Sequence, residues 1–284
     1  MFRYLIIEGY ALADRDKLEL AGMSLASQLF ADMLLAWQPG AVYDVFMPCD
    51  EGSSLPRPLA DYDGILWTGT TLTIFELDDP RVVRMIELGQ EIFEVGVPAF
   101  GSCWGVQMAA AAAGGQVTRS PLGREMGVAR KIAQTDAGLA HPFMAGKPRV
   151  FDAFISHYDE VTTVPEGGVV LAGNRYTSVQ AMAVRHANGE FWATQYHVEY
   201  NLHEMSRLLI ARENKLLPEG FFRGRQELVA MADGMEALWQ EPGRKDLRWQ
   251  LAIDDDLIDP ALRQIEFGNW LTALVVPTAQ RRRG

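Results

Sequence analysis

Short apolar runs alternate with helical-period segments over the first two-thirds of the chain, the pattern of strands and crossover helices in a parallel sheet. Residues 2–7, ending in Tyr4-Leu5-Ile6-Ile7, read as a buried first strand. Leu18, Met23, Leu25, Leu29, Met33 and Leu34 fall at helical spacing and predict one helix over residues 17–37, stopped by Pro39-Gly40. Residues 42–47 predict a second strand, and Gly64-Ile65-Leu66-Trp67 a third that enters the turn Thr68-Gly69-Thr70-Thr71. Pro80 suits a first helical turn, and Val82, Val83, Ile86, Ile92 and Phe93 carry that helix to Gly96. Residues 97–100 predict a short strand, and an Ala-rich helix follows over residues 106–113.

From residue 116 to 196 the pattern is one of successive strands with turns, at 127–133, 150–156, 169–172, 180–185 and 191–195. Asn188-Gly189 between the last two is a hairpin signal. Beyond Tyr200 the pattern turns helical. Leu228, Met231, Met235, Leu238 and Trp239 share one face, and Phe267, Trp270, Leu271 and Leu274 another. These faces predict packing against the sheet, with a lid or an oligomer contact as the other use. Arg281-Arg282-Arg283-Gly284 reads as a frayed tail.

Length changes this picture little: 284 residues hold one large domain or a domain with an appendage. Charge excludes more. Lys plus Arg number 26 and Asp plus Glu 37, a balance of −11 that disfavours nucleic acid as a partner. No window approaches the apolar length of a membrane span, and the N-terminal apolar run is too short for a secretion signal. With only two cysteines, Cys49 and Cys103, the sequence suits a reducing cytoplasm and carries no disulfide framework or metal spacing.

Gly101-Ser102-Cys103-Trp104-Gly105 sets a cysteine between two glycines where a strand meets a helix. That is a nucleophile elbow with a thiol in place of a hydroxyl: the sharp turn lifts the sulfur above the sheet edge, and small neighbours avoid clashes. The helix N-terminus favours a thiolate, and the Trp104 amide points at an oxyanion forming on an attacked carbonyl. A thiol nucleophile needs a base. Of five histidines, His141 and His186 fall in loop and hairpin and are expected to be exposed. His197 follows a strand and stands two residues before Glu199, which suits a base and the carboxylate that orients it. His203-Glu204 begins a zinc-like motif, but Arg207 occupies the position of the second histidine. Cys49 lacks any such setting and is read as structural.

The motif 101–107 with Gln195-Tyr196-His197-Val198-Glu199 and the intervening Ser156-His157-Tyr158-Asp159 resembles the signature of class I (triad) glutamine amidotransferases, similar to the glutaminase domain of GMP synthase and its stand-alone relatives. The resemblance covers residues 1–210. It implies an α/β, flavodoxin-like open sheet, mostly parallel, with helices on both faces. Residues 1–205 would form that domain, and residues 206–284 a helical extension packed on it, too short for a synthetase.

By the same resemblance Cys103 is the nucleophile, His197 the base that becomes the acid, and Glu199 its orienter. Gly69 and Trp104 supply the oxyanion hole, Gln107 helps hold the glutamyl substrate, and Ser156, Tyr158 and Asp159 bind its amino-acid end. Three positions depart from the family pattern: Thr68-Gly69-Thr70 replaces Gly-Gly-Pro, Tyr158 replaces a glycine, and Val198 replaces a proline. The Tyr158 ring would reshape the leaving-group side. The implied reaction is hydrolysis of the γ-amide of glutamine or a γ-glutamyl compound, with no cofactor and no metal. Two fates for the nitrogen stay open: ammonia passed to a separate synthetase subunit, or simple release by a stand-alone hydrolase. An idle binding or regulatory subunit is the alternative from another class, and a homodimer is left open.

Overall fold

Alternation along the first strand sets the two faces of the sheet. In the computed structural model, which describes residues 1–283, β1 (Arg3–Ile7) turns Leu5 and Ile7 into one hydrophobic core and Tyr4 and Ile6 into another, as a two-residue period requires. The chain continues through α1 (Leu12–Leu20), α2 (Ala26–Trp37), β2 (Val42–Phe46), β3 (Gly64–Trp67), α3 (Pro80–Val95), β4 (Ala99–Ser102) and α4 (Trp104–Ala112). Next come β5 (Gln116–Arg119), β6 (Glu125–Gln134), α5 (Asp136–Ala140), β7 (Val150–His157), β8 (Asp159–Thr163), β9 (Gly168–Gly173), β10 (Ala181–His186) and β11 (Gly189–Thr194).

The strands β2-β1-β3-β4-β11 are mutually parallel, and β10, β9, β6 and β7 extend the same sheet with antiparallel pairings. Strands β5 and β8 form a separate ribbon. α3 and α4 cover the Leu5/Ile7 face, and α2 covers the Tyr4/Ile6 face. This is the mostly parallel, flavodoxin-like α/β sheet that the sequence implies, and such sheets bind ligands beyond the carboxyl ends of their strands.

After β11 the chain is helical: α6 (Leu202–Ala211), α7 (Glu213–Leu216), α8 (Arg225–Gln240), α9 (Lys245–Leu251), α10 (Asp255–Ile258), α11 (Pro260–Arg263), α12 (Ile265–Trp270) and, past a wider turn at Leu271–Val275, α13 (Val276–Arg283). Phe267, Trp270, Leu271 and Leu274 are buried in the same core as Tyr4, Leu66 and Phe100. Glu266 accepts from the Tyr196 hydroxyl and pairs with buried Lys147 at 3.0 Å, so α12 grips the segment that leads into His197. Leu228, Met235 and Leu238 share a third core with Phe154 and Leu208.

Several expectations need correction. The single helix over 17–37 is two helices. Gly22 has φ +89°, and Ser24 gives both its N–H and its hydroxyl to the Glu204 carboxylate at 3.1 and 2.8 Å, which turns the chain out of helix. The hairpin turn is Ala187-Asn188, one residue early, because the 188 side chain and amide bind the end of α3 and a Cβ on Gly189 would meet Phe93 Cα at 2.8 Å. Trp239 is 45% exposed and lies over His203 instead of joining its helical face in the core. His141 and His186 are half-buried against Trp192 and Phe93. Arg281 to Arg283 of that tail are helical and tied down, with Gly284 outside the described residues: Arg282 donates to the Tyr62 and Ala60 carbonyls, and Arg283 pairs with Asp63 at 2.7 Å.

Candidate active site

The short loop between β4 and α4 is a single residue, Cys103, with φ 54° and ψ −101°. A side chain rarely adopts that conformation, and such outliers gather at functional sites. The glycines around it are required by close approach. A Cβ on Gly101 would sit 2.8 Å from Gly105 Cα and 3.0 Å from the Trp67 carbonyl, so strand and helix cross this closely because Gly101 lacks a side chain, while a Cβ on Gly105 would press the same carbonyl at 3.3 Å. The Cys103 amide donates to Thr194 of β11 at 2.8 Å, which fixes the elbow to the strand before His197.

His197 and Glu199 meet this cysteine. The His197 Nδ1 lies 2.6 Å from Glu199 Oε1, and the imidazole and Cys103 both stand against Gly69, close enough for the sulfur to act on the charge of the ring. Ser102, the residue before the cysteine, donates its hydroxyl to the same Glu199 oxygen at 2.9 Å. Tyr200 stacks on the imidazole with centroids 4.0 Å apart. Burial works against a charge on His197, but the adjacent Glu199 carboxylate and Cys103 outweigh it and push the imidazole up to about 9. The histidine therefore holds a second proton at neutral pH.

Gly69 lies against the same groups. A Cβ placed on it would be 3.4 Å from His197 Cε1 and 3.6 Å from Cys103 Cβ. No protein acceptor takes the Gly69 N–H among the described residues, and the Trp104 amide belongs to the first helical turn, which has no intrahelical acceptor. The threonines of the turn hold it in place. Thr68 Oγ1 accepts from Gly9 N at 2.9 Å and donates to the Gly69 carbonyl at 2.9 Å, while Thr70 Oγ1 donates to the Gly9 carbonyl at 2.8 Å. These bonds do the anchoring where the family pattern carries glycine and proline.

The remaining predicted residues line one cleft of about 400 Å³ with Cys103 and Trp104. Gln107 Nε2 donates to the Asp159 carbonyl at 2.9 Å, which leaves its Oε1 to accept from a ligand. The Ser156 carbonyl accepts from the thiol at 3.5 Å. The Tyr158 ring is gripped by Arg119 and Arg124, whose guanidinium carbons lie 4.5 and 4.9 Å from its centroid. Burial raises the Asp159 carboxyl while Arg119 opposes the shift, and its Oδ1 has no hydrogen-bond partner. His157 is buried on Glu125 at 2.9 Å and the Asp159 carbonyl at 3.0 Å, and so braces this turn. Cys49 lies apart, its thiol on the Gly9 carbonyl and pushed up to about 11 by burial.

Sequence reasoning missed the stacking Tyr200, the buried Tyr10 whose hydroxyl faces Gly69, and the cleft residues Arg119, Arg124, Arg212 and Lys215. Tyr200 had a signal in its adjacency to Glu199. The others reach the cleft from distant elements and carry no local motif.

With this geometry in place, comparison with known proteins gives the class. Residues 51–215 match the family model described as glutamine amidotransferase class-I. The chain is 33% identical to a γ-glutamyl-L-1-hydroxyisopropylamide hydrolase of a Pseudomonas species, over 99% of this chain and 96% of that one. It is also 33% identical to the GMP synthase of Methylobacillus flagellatus, over 52% of this chain but only 27% of that enzyme. Among solved structures, a glutamine amidotransferase of Thermotoga maritima superposes with a TM-score of 0.64 at 20% identity, covering 91% of this chain and 98% of the other. One from Methylobacillus flagellatus gives 0.67 at 21% identity, covering 96% of each. The protein belongs to the class I glutamine amidotransferase family.

Proposed function

We propose that the protein is a stand-alone cysteine hydrolase of γ-glutamyl amides, working through a Cys103–His197–Glu199 triad. Cys103 Sγ attacks the γ-carbonyl carbon, and the Gly69 and Trp104 amides hold the oxyanion. His197 passes its proton to the amide nitrogen, the C–N bond breaks, and the amine leaves a γ-glutamyl thioester on Cys103. Water then enters, His197 takes its proton, the hydroxide attacks the thioester, and the C–S bond breaks to release glutamate. Glu199 keeps the imidazole in the productive orientation throughout. Gln107, Ser156, Tyr158 and Asp159 hold the amino-acid end of the substrate.

The observation that carries this reading is the meeting of a strained Cys103 with an imidazole held by Glu199 at 2.6 Å. The hydrolase arm is favoured over ammonia donation because the relative named a γ-glutamyl amide hydrolase matches over 96% of its length, whereas the GMP synthase match covers 27% of that enzyme. Residues 1–205 hold the triad, and residues 206–284 are a helical extension packed on them. That GMP synthase match supports the second reading, a glutaminase serving a separate synthetase subunit. Glutamate release by the purified protein, measured on glutamine and on γ-glutamyl alkylamides with and without cell extract, separates the two. Activity on the amides alone supports the hydrolase. Glutamine turnover that requires the extract supports the donor, and no glutamate under any condition points to an idle subunit.

A further inference from the structure

Glu125 opens β6 directly opposite His157, the last residue of β7. Its side chain is buried and meets three donors: His157 Nε2 at 2.9 Å, Gln180 Nε2 at 2.9 Å and Asn174 Nδ2 at 2.8 Å. The Asn174 amide has one orientation, because its Oδ1 accepts from the Tyr176 and Thr177 amides at 2.9 Å each. With Asn174 Nδ2 on one oxygen and Gln180 Nε2 on the other, Glu125 is held as a carboxylate that only accepts.

The other nitrogen of His157 also meets a group that cannot donate. Its Nδ1 lies 3.0 Å from the Asp159 main-chain carbonyl. A neutral imidazole donates from one nitrogen only, so a ring set between a carboxylate and a carbonyl satisfies both when each nitrogen carries a proton. The same Asp159 carbonyl accepts from Gln107 Nε2 at 2.9 Å. An unbroken run of hydrogen bonds therefore joins the Glu125 carboxylate to Gln107 through the imidazole and the carbonyl. Gln107, His157 and Asp159 line the cleft with Cys103, and Glu125 stands behind them.

We propose that Glu125 is a positioning residue for substrate binding: its charge keeps His157 donating from both ring nitrogens, which fixes the Asp159 carbonyl and, through it, the oxygen that Gln107 turns to the ligand. The role rests on the γ-glutamyl reading above, in which Gln107 and Asp159 hold the amino-acid end of the substrate. Glu125→Gln removes the buried counter-charge of the ring. It also turns an amide N–H against either Asn174 or Gln180, since a carboxamide has one accepting oxygen where three donors converge.

Two measurements on the full-length protein test this. Nitrogen-15 NMR of the histidine rings, with His157 assigned by through-bond connection to its own backbone, is expected to show a proton on both ring nitrogens at the pH of the assay. In Glu125→Gln one of the two is expected to be bare. Kinetics on γ-glutamylethylamide, read as glutamate release, should show KM raised about tenfold in Glu125→Gln with kcat within about twofold of wild type, the signature of lost binding without lost chemistry. His157→Gln should raise KM likewise, and adding Glu125→Gln to it should raise KM no further. If Glu125→Gln does not fold, the wild-type spectrum and His157→Gln carry the test. A bare ring nitrogen on His157 in the wild-type protein overturns the role and leaves the γ-glutamyl reading standing. So does a Glu125→Gln enzyme that keeps its KM, or one whose loss falls in kcat. Glutamate from neither γ-glutamylethylamide nor glutamine overturns the γ-glutamyl reading and the positioning role with it.

Discussion

The Tyr200 ring lies parallel to the His197 imidazole, with centroids 4.0 Å and planes 3° apart. Glu199 fixes the imidazole along its edge, and Tyr200 fixes it across its face, so the ring has one orientation toward the thiol. Removing the stack in Tyr200→Ala frees the ring to tilt, and kcat is expected to fall on the order of tenfold with KM little changed. Tyr200→Phe keeps the stack and should stay close to wild type. Steady-state kinetics on both variants checks the claim, and a Phe variant as impaired as Ala would shift the role to the hydroxyl.

The charge of Glu199 is what keeps His197 protonated against the cost of burial. Because the imidazole is raised to about 9, the proton that the proposed mechanism delivers to the leaving amine is present below that pH and is lost as pH rises through it. The alkaline limb of kcat should therefore lie near 9. Glu199→Gln removes the charge, moves that limb to lower pH, and lowers kcat on the order of 10²–10⁴-fold. A pH–rate profile for both proteins reads the shift directly.

Gly9 tests how the loop that carries the proposed oxyanion donor is held. A Cβ there would approach the Gly69 carbonyl to 2.9 Å and Thr70 Cβ to 3.2 Å, so Gly9→Ala pushes on the loop that carries the Gly69 amide. A misplaced donor costs rate more than it costs folding, and kcat should fall about 10²-fold. Thermal unfolding measured beside kcat distinguishes a shifted loop from a damaged fold.

Trp270 measures whether the C-terminal helices belong to the core. The side chain is fully buried and meets Tyr4 and Phe100 at 6.1 and 5.8 Å between centroids. Trp270→Ala should cost about 3–5 kcal/mol, read as a lower urea midpoint. A loss well under about 1 kcal/mol would mean that the helix rests on the sheet without supporting it.

The elbow at Cys103 was legible because its requirements are contiguous: two glycines, a strand before and a helix after. His197 and Glu199 were legible for the same reason, two residues apart at a strand end. What escaped depends on residues far along the chain. The break between α1 and α2 needs Glu204 to capture Ser24, and nothing near residue 24 announces it. Arg212 reaches Ser156 only because α6 returns across the ends of the strands. The terminal arginines looked unpartnered in sequence, yet Asp63 and the Tyr62 carbonyl lie where α13 ends.

The central claim is that glutamate leaves through a thioester on Cys103, and mass spectrometry of acid-quenched turnover tests it most directly. With a γ-glutamyl amide in excess, the account predicts one added γ-glutamyl group on the peptide that contains Cys103, with no adduct and no glutamate from Cys103→Ser. Glutamate released by Cys103→Ser at the wild-type rate, or an adduct on any other residue, would contradict it.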